Sequence, residues 1–419
     1  MPNHKIELGY YKETREATIP DQNLKGILKP KPPEIGLSEQ EVLAQALQNP
    51  IGTPQLGDIV KPGEKVVIVT SDITRPMPTA KVLPVVVAAL NQAGIDDHDI
   101  TVVFGLGVHR KHTAEEHAAL AGQEMYERLT CMDSDPDDVV HLGETSRGTP
   151  VDIFRTVVEA ERRICLGNIE YHYFAGFSGG MKAIMPAVST RQAIQANHSR
   201  MVEDAATTGK LDGNPVREDI DEVFTFCPVD YMLNVVLGED KTIINAFAGD
   251  VFQAHRAGCR YLDSLYKVEL DAPADIVIVT PGGFPKDLNL YQAQKALDNS
   301  KHAVKEGGTI ILLAACQEGL GEEVFERWIL NAPNPESMVT KIQQQFELGG
   351  HKAAAIAMVM QKATVCLVSE FTPEFTKRIF MTPFPTLQAA LDHALQKHGT
   401  DASILVMPYG GSTLPVIIS

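Results

Sequence analysis

The sequence is poor in the features that mark several large classes of protein. Its six cysteines (Cys131, Cys165, Cys227, Cys259, Cys316 and Cys366) include no CxxC pair, and no two are closer than 32 residues. That spacing excludes a zinc ribbon and a disulfide framework, and it suits a reducing cytosol. Long apolar runs are missing too: the longest, at residues 82–90, is interrupted by Pro84 and is too short to cross a bilayer. The opening Met-Pro-Asn-His-Lys-Ile-Glu has no apolar core for a signal peptide. The expectation is a cytoplasmic protein with no membrane partner. Positive charge is scarce, with 37 Lys and Arg against 54 Asp and Glu, a net charge of −17. Such a chain repels phosphate backbones and anionic lipid, so nucleic acid is not expected as a partner. A small anionic substrate would need its own local cluster of Arg or Lys. HExxH and GxxxxGK[ST] are absent, as is a GxGxxG opening a helix with its acidic partner. Zinc hydrolysis, NTP hydrolysis and NAD chemistry lose their usual support. There is no internal repeat and no low-complexity tract.

What remains is an ordinary globular composition over 419 residues, 44% hydrophobic and 22% charged, a length that suggests two domains. Short β-branched runs alternate with Gly/Pro/Asp loops and helical patterns. Strands are predicted at residues 65–70 (KVVIVT), 99–105 (DITVVFG), 163–166 (RICL), 275–280 (DIVIVT), 309–313 (TIILL), 364–368 (TVCLV) and 403–407 (SILVM). Helices are predicted at 78–93 and 114–121. Continuous apolar strands separated by helices argue for α/β architecture with mainly parallel sheets covered on both faces. The boundary is expected near 270–273, giving domains 1–270 and 271–419. The proline-rich first 60 residues are expected to wrap the first domain as a hairpin and an extended arm. Ligands of parallel sheets sit beyond the carboxyl ends of the strands. Four polar, glycine-rich loops follow strands, so one active site is expected, in the cleft between the domains.

Each loop supports more than one reading. In residues 71–76 (SDITRP), Ser71, Asp72 and Thr74 serve equally as helix-capping residues or as a polar cradle in which Arg75 holds an anion. In residues 105–113 (GLGVHRKHT), His109 follows a glycine turn and suits proton transfer near neutral pH, whereas Lys111 and His112 read as a solvated loop and Thr113 as a helix cap. Residues 168–198 (NIEYHYFAGFSGGMKAIMPAVSTRQAIQANH) carry His172, Lys182 and His198. Gly179 and Gly180 there allow close approach to a ligand. Lys182 among apolar neighbours is a candidate for a desolvated amine, although a surface lysine is the commoner fate; a lone helical His198 is most simply a polar-face residue. Residues 176–180 (GFSGG) match the GxSxG elbow of serine hydrolases, but no strand is predicted to end before Ser178. In residues 281–295, Tyr291 and Lys295 lie four apart on one helical face and could clamp a carboxylate, or be an ordinary exposed face.

Together SDITRP, GVHRKHT, YHYFAGFSGGMKAIMP with His198 downstream, and LNLYQAQKAL resemble the nickel-dependent lactate racemase family, over most of the chain and in the same order. The resemblance implies two α/β domains and a racemase or epimerase of a small anionic 2-hydroxy acid. It implies a cofactor, the nickel-pincer nucleotide (pyridinium-3-thioamide-5-thiocarboxylic acid mononucleotide with Ni), supplied by cofactor-synthesis proteins. By resemblance His109 and His172 are the paired acid/base residues. Lys182 is the lysine that can attach to the cofactor, and His198 is the nickel ligand. Arg75, Tyr291 and Lys295 contact substrate, and Ser71, Asp72, Gly179, Gly180 and Gln292 contact cofactor. The implied reaction removes the Cα–H as hydride to give a 2-keto acid, then returns it to either face. A non-catalytic nickel-nucleotide carrier and, less favoured, a GxSxG serine hydrolase are the other readings.

Overall fold

The computed structural model describes residues 3–33, 36–238 and 240–418. The chain divides into two compact units, one of residues 33–263 and one that joins residues 1–32 to residues 264–419.

The unit of residues 33–263 is built on a six-stranded sheet in the order Ile243–Gly249, Tyr231–Leu237, Arg162–Asn168, Val66–Ser71, Ile100–Gly105, Thr130–Asp133. All neighbours are parallel except the first pair, which is antiparallel. Every residue of Val66–Thr70 is buried, as expected of a central strand with both faces covered. Ile68, Val102, Phe104 and Ile164 pack with Val82, Leu83, Val86 and Leu90 of the helix Thr79–Gln92 in one apolar core. The chain leaves Val66–Ser71 toward Ile100–Gly105 on one side and later returns to its other side as Arg162–Asn168. The strand order therefore reverses at the carboxyl end of Val66–Ser71. A ligand crevice is expected at such a switch point, and the loops beginning at Asp72, Leu106 and Ile169 surround it.

The other unit has its own six-stranded parallel sheet: Thr382–Pro383, Thr364–Val368, Val304–Leu313, Ala274–Val279, Ile404–Met407, Leu24–Ile27. Its order reverses at Ala274–Val279, whose carboxyl end leads to the helix Leu290–Ser300. The α/β class with mainly parallel sheets is as the sequence implied.

The opening segment forms the expected hairpin, Asn3–Tyr10 with Glu13–Pro20, but not on the expected unit. Alternate residues Ile6, Leu8, Tyr10, Ala17 and Ile19 pack in the same core as Ile276, Ile278, Ile311 and Leu391. Leu24–Ile27 then pairs with Ile404–Met407 at the sheet edge. The first 32 residues thus belong with the C-terminal unit, and the division falls at 32/33 and 263/264 rather than at 270/271.

Candidate active site

The loop after Val66–Ser71 does not cap the next helix. That helix begins at Thr79 with no side-chain cap at its N-terminus, and Ser71, Asp72 and Thr74 lie upstream of it. Asp72, 3% exposed, instead places Oδ2 2.6 Å from Nδ1 of His109, and the Thr74 hydroxyl donates to the same carboxylate at 2.9 and 3.0 Å. Burial alone would raise the Asp72 carboxyl, but the hydrogen bond and charge of His109, with Thr74 and Arg75, outweigh it and hold the group below its ordinary value. A carboxylate accepts only, so His109 Nδ1 carries a proton and, in the neutral ring, Nε2 carries the lone pair. Asp72 is therefore engaged with His109. Arg75 extends from the same turn, exposed and without an ion-pair partner among the described residues.

A buried strut braces this pair. Asp133, at the end of Thr130–Asp133, takes His112 Nδ1 at 2.6 Å and His117 Nε2 at 2.9 Å on one oxygen. His112 Nε2 then accepts the Ile73 backbone N–H at 3.1 Å, next to Asp72. These three side chains bring ligand-type atoms within 4.8 Å of one another. They nevertheless do not suit a metal. Because Nε2 of His112 accepts from an amide, Nδ1 must be the protonated nitrogen, and that nitrogen faces Asp133. Thr113 caps the helix Ala114–Ala121 as expected, in a capping box with Glu116, and Lys111 pairs with Asp135 in solvent.

Across the switch point, residues 169–184 fold into a short hairpin, Tyr171–His172 with Gly176–Phe177, and a single helical turn, Gly180–Ala183. Phe174 is the hub. Its ring centre lies 4.4 Å from that of His172, 5.0 Å from that of His198 and 5.9 Å from Lys182 Nζ. The structure thus brings His172, Lys182 and His198 together. His198 is buried at the end of the helix Arg191–His198, not on a polar face. Lys182 is recessed, and burial, followed by the charges of Arg217 and Arg75, holds its amine well below the ordinary lysine value. Burial likewise depresses His172, with further contributions from Lys182, Arg75, His198 and Arg217. His172 Nδ1 accepts the Ala175 N–H at 3.2 Å, so the neutral ring carries its proton on Nε2.

Residues outside the predicted set hold this loop. Arg217, fully buried, donates to the carbonyls of Ala175 at 3.2 Å, of Gly179 at 3.4 Å and of Phe177. His255, pushed down to about 3 mainly by burial, donates from Nε2 to the Ser178 carbonyl at 2.8 Å. The sequence PVREDIDE around Arg217 reads as a solvated charged face, and nothing in it signals a buried guanidinium. Gly179 and Gly180 have φ of +77° and +62°, but the space beside them is filled by the protein. A Cβ at Gly179 would stand 2.4 Å from Asn234 Oδ1, and one at Gly180 would stand 3.0 Å from His255. Their lack of side chains serves packing against these two residues.

Ser178 is not a nucleophile elbow. Its Oγ donates to the Asn168 carbonyl at 2.7 Å and accepts the Glu170 N–H at 2.9 Å, bridging the loop on which it sits. The only imidazole bonded to Ser178 among the described residues binds its carbonyl oxygen.

In the other unit, Tyr291, Gln292 and Lys295 share the outer side of the helix Leu290–Ser300, which Asn289 caps by accepting the Gln292 N–H at 3.0 Å. Gln292 and Lys295 are exposed. Lys352 Nζ lies 3.8 Å from the Tyr291 ring centre.

The lactate racemase N-terminal domain family matches residues 10–209, and the lactate racemase C-terminal domain family matches residues 270–417. The chain belongs to the lactate racemase family. Membership places it among racemases, a class of isomerases. A lactate racemase of Thermoanaerobacterium thermosaccharolyticum is 34% identical over 421 residues, covering 98% of both chains. A lactate racemase of Lactiplantibacillus plantarum is 33% identical over 417 residues, covering 97% of this chain and 98% of that one. The solved lactate racemase apoprotein from T. thermosaccharolyticum superposes with a TM-score of 0.87 at 33% identity, over 98% of this chain and all of that one. A Thermotoga maritima crystal structure has a TM-score of 0.62 at 17% identity, over 92% of this chain and all of that one, and shares the fold alone. No described helix is long and apolar enough to cross a membrane.

Proposed function

We propose that this member of the lactate racemase family interconverts the stereoisomers of a 2-hydroxy acid, with lactate the first candidate. The reading is carried by the gathering of His172, Lys182 and His198 around Phe174 at the sheet's switch point. The donor chemistry there fits a nickel-pincer nucleotide. Lys182 is an amine whose charged form burial disfavours, which suits attack on an acyl carbon. His198 is a neutral-ring ligand of the kind nickel accepts. Arg75 supplies positive charge for an anionic group. When bound, that cofactor supplies a hydride acceptor and donor.

The chain's own residues supply proton transfer and binding. His109, held by Asp72, takes the hydroxyl proton on Nε2 as the Cα–H is removed, and returns it when the ketone is reduced from the opposite face. His172 enters with its proton on Nε2 and hydrogen-bonds the same oxygen through it. For it to act as the base, the Ala175 N–H must leave Nδ1. Arg75 binds the carboxylate, and Tyr291 and Lys295 are read as further substrate contacts on chemistry alone. Ser71 and Gln292 remain candidate cofactor contacts. All six cysteines are free, which supports a cytoplasmic setting in which cofactor-synthesis proteins supply the nucleotide.

The test is chiral chromatography of cofactor-loaded protein on single-enantiomer lactate, malate, 2-hydroxybutyrate, 2-hydroxyglutarate, phenyllactate and gluconate. Inversion of one compound, lost in His109→Ala, is expected. Bound nickel with no inversion of any compound contradicts the reading within that panel and favours a carrier.

A further inference from the structure

His198 rests on a polar network that the scheme above does not use. Its Nδ1 lies 2.8 Å from Oδ1 of Asn197. Asn197 is fully buried, and its amide nitrogen donates to Asp219 Oδ2 at 2.7 Å and to the Val216 carbonyl at 3.1 Å. Two acceptors on the nitrogen side fix the amide's orientation, so the atom facing His198 is the oxygen. An amide oxygen only accepts, and His198 Nδ1 must therefore be protonated. In the neutral ring the lone pair lies on Nε2. Asp219 is fully buried as well and accepts the Thr145 hydroxyl at 2.5 Å and the Thr149 hydroxyl at 2.7 Å. The network ties the turn at residues 145–149 and the helix Pro215–Glu222 to the last residue of Arg191–His198.

We propose that Asn197, backed by Asp219, is a positioning residue that locks His198 in its Nδ1-protonated tautomer and so presents Nε2 to the metal. The proposal rests on the reading of His198 as nickel ligand. A carboxylate would hold Nδ1–H equally well, but it would place a second buried charge beside the ligand. An amide relays the polarising effect of Asp219 without that charge, because its two ends donate and accept at once. Serine or threonine has no rigid pair of opposed ends, and alanine leaves Nδ1–H and an Asp219 oxygen short of a partner. Asn197 acts only through His198.

Two measurements test it. In the full-length cofactor-free chain labelled with 15N-histidine, nitrogen shifts report the tautomer of His198, assigned by its absence from His198→Ala. The expected result is a proton on Nδ1 in the wild type, with an Nε2-protonated population appearing in Asn197→Ala. In cofactor-loaded protein, nickel content during dialysis is followed by mass spectrometry. Nickel loss about 10- to 100-fold faster than wild type is expected for Asn197→Ala, the usual effect of removing a partner of a metal-bound histidine. A wild-type His198 protonated on Nε2 overturns the proposal, and that arm needs no variant to fold beyond the one used for assignment. Wild-type nickel retention in Asn197→Ala, where His198→Ala loses the metal, overturns it too. Wild-type retention in His198→Ala overturns the ligand reading itself, a different failure with its own signature.

Discussion

Replacing Asp72 by Asn keeps the shape of the side chain and removes its charge, which makes it the sharpest perturbation of the proton-transfer machinery. The 2.6 Å contact to His109 is charge-assisted and buried on the carboxylate side, with Asp72 3% exposed. Hydrogen bonds to charged groups contribute about 1.5–3 kcal/mol, so losing the charge alone slows the step that loads a proton on His109 by about 10- to 150-fold. A second effect adds to this. Thr74 donates to both carboxylate oxygens, so an amide turned with its oxygen to Thr74 points its nitrogen at His109. Nδ1 would then become the acceptor and Nε2 the protonated atom, abolishing the base; the equivalent error in a Ser-His-Asp triad costs about 10⁴-fold. The expected range for Asp72→Asn is therefore about 10- to 10⁴-fold in kcat/KM. The two enantiomers of lactate have equal free energy, so kcat/KM must fall by the same factor from either one. Only kcat and KM separately can differ between directions. The assay is the initial rate from each pure enantiomer at matched nickel content. A kcat/KM within about twofold of wild type, less than 0.5 kcal/mol, would refute the role assigned to the pair.

The remaining predictions concern the loop at residues 169–184. Lys182→Met raises the Tm of the cofactor-free protein, by about 2–4 °C for each kcal/mol recovered. The sign follows from its lowered value: between the native and unfolded values the unfolded chain binds the extra proton, so wild-type stability rises with pH up to about 10.4, and the variant lacks that slope. Arg217→Met takes a donor from each of three loop carbonyls, of which Ala175 keeps the Phe177 N–H and Gly179 the Lys182 N–H, and costs about 1–3 kcal/mol in urea unfolding; a loss below about 0.5 kcal/mol would contradict the bracing role. Gly176→Ala combines φ of +76° with a Cβ 2.0 Å from the Lys210 carbonyl oxygen, and loss of soluble folded protein is expected on size-exclusion chromatography.

The strands were legible because a central parallel strand must be apolar on both faces, and runs such as VVIVT allow little else. The class of fold followed from their alternation with helices. The docking of the opening hairpin was not legible. Its period of two says that Ile6, Leu8 and Tyr10 face a core, but not which core, and the partner residues begin about 270 positions later at Ile276. His172, Lys182 and His198 were singled out through their motif, and the structure gives them a shared contact in Phe174, an aromatic of the same segment. The bond from Asp72 to His109 was not legible, because a capping sequence and a His partner have the same composition. Arg217, Asn197 and Asp219 carried no signal, since residues that act by holding others resemble ordinary polar helix positions until the helix is seen to be buried.

The central claim is that stereochemistry is lost by removal and return of the Cα hydrogen as hydride, with His109 and His172 handling only the hydroxyl proton. Racemisation of L-lactate by cofactor-loaded enzyme in D2O tests it most directly, with the C2 position of recovered D-lactate read by mass spectrometry and NMR. D-lactate with protium at C2 is expected. One deuterium at C2 for each inversion would show that a base exchanges the Cα proton with solvent, and would contradict it.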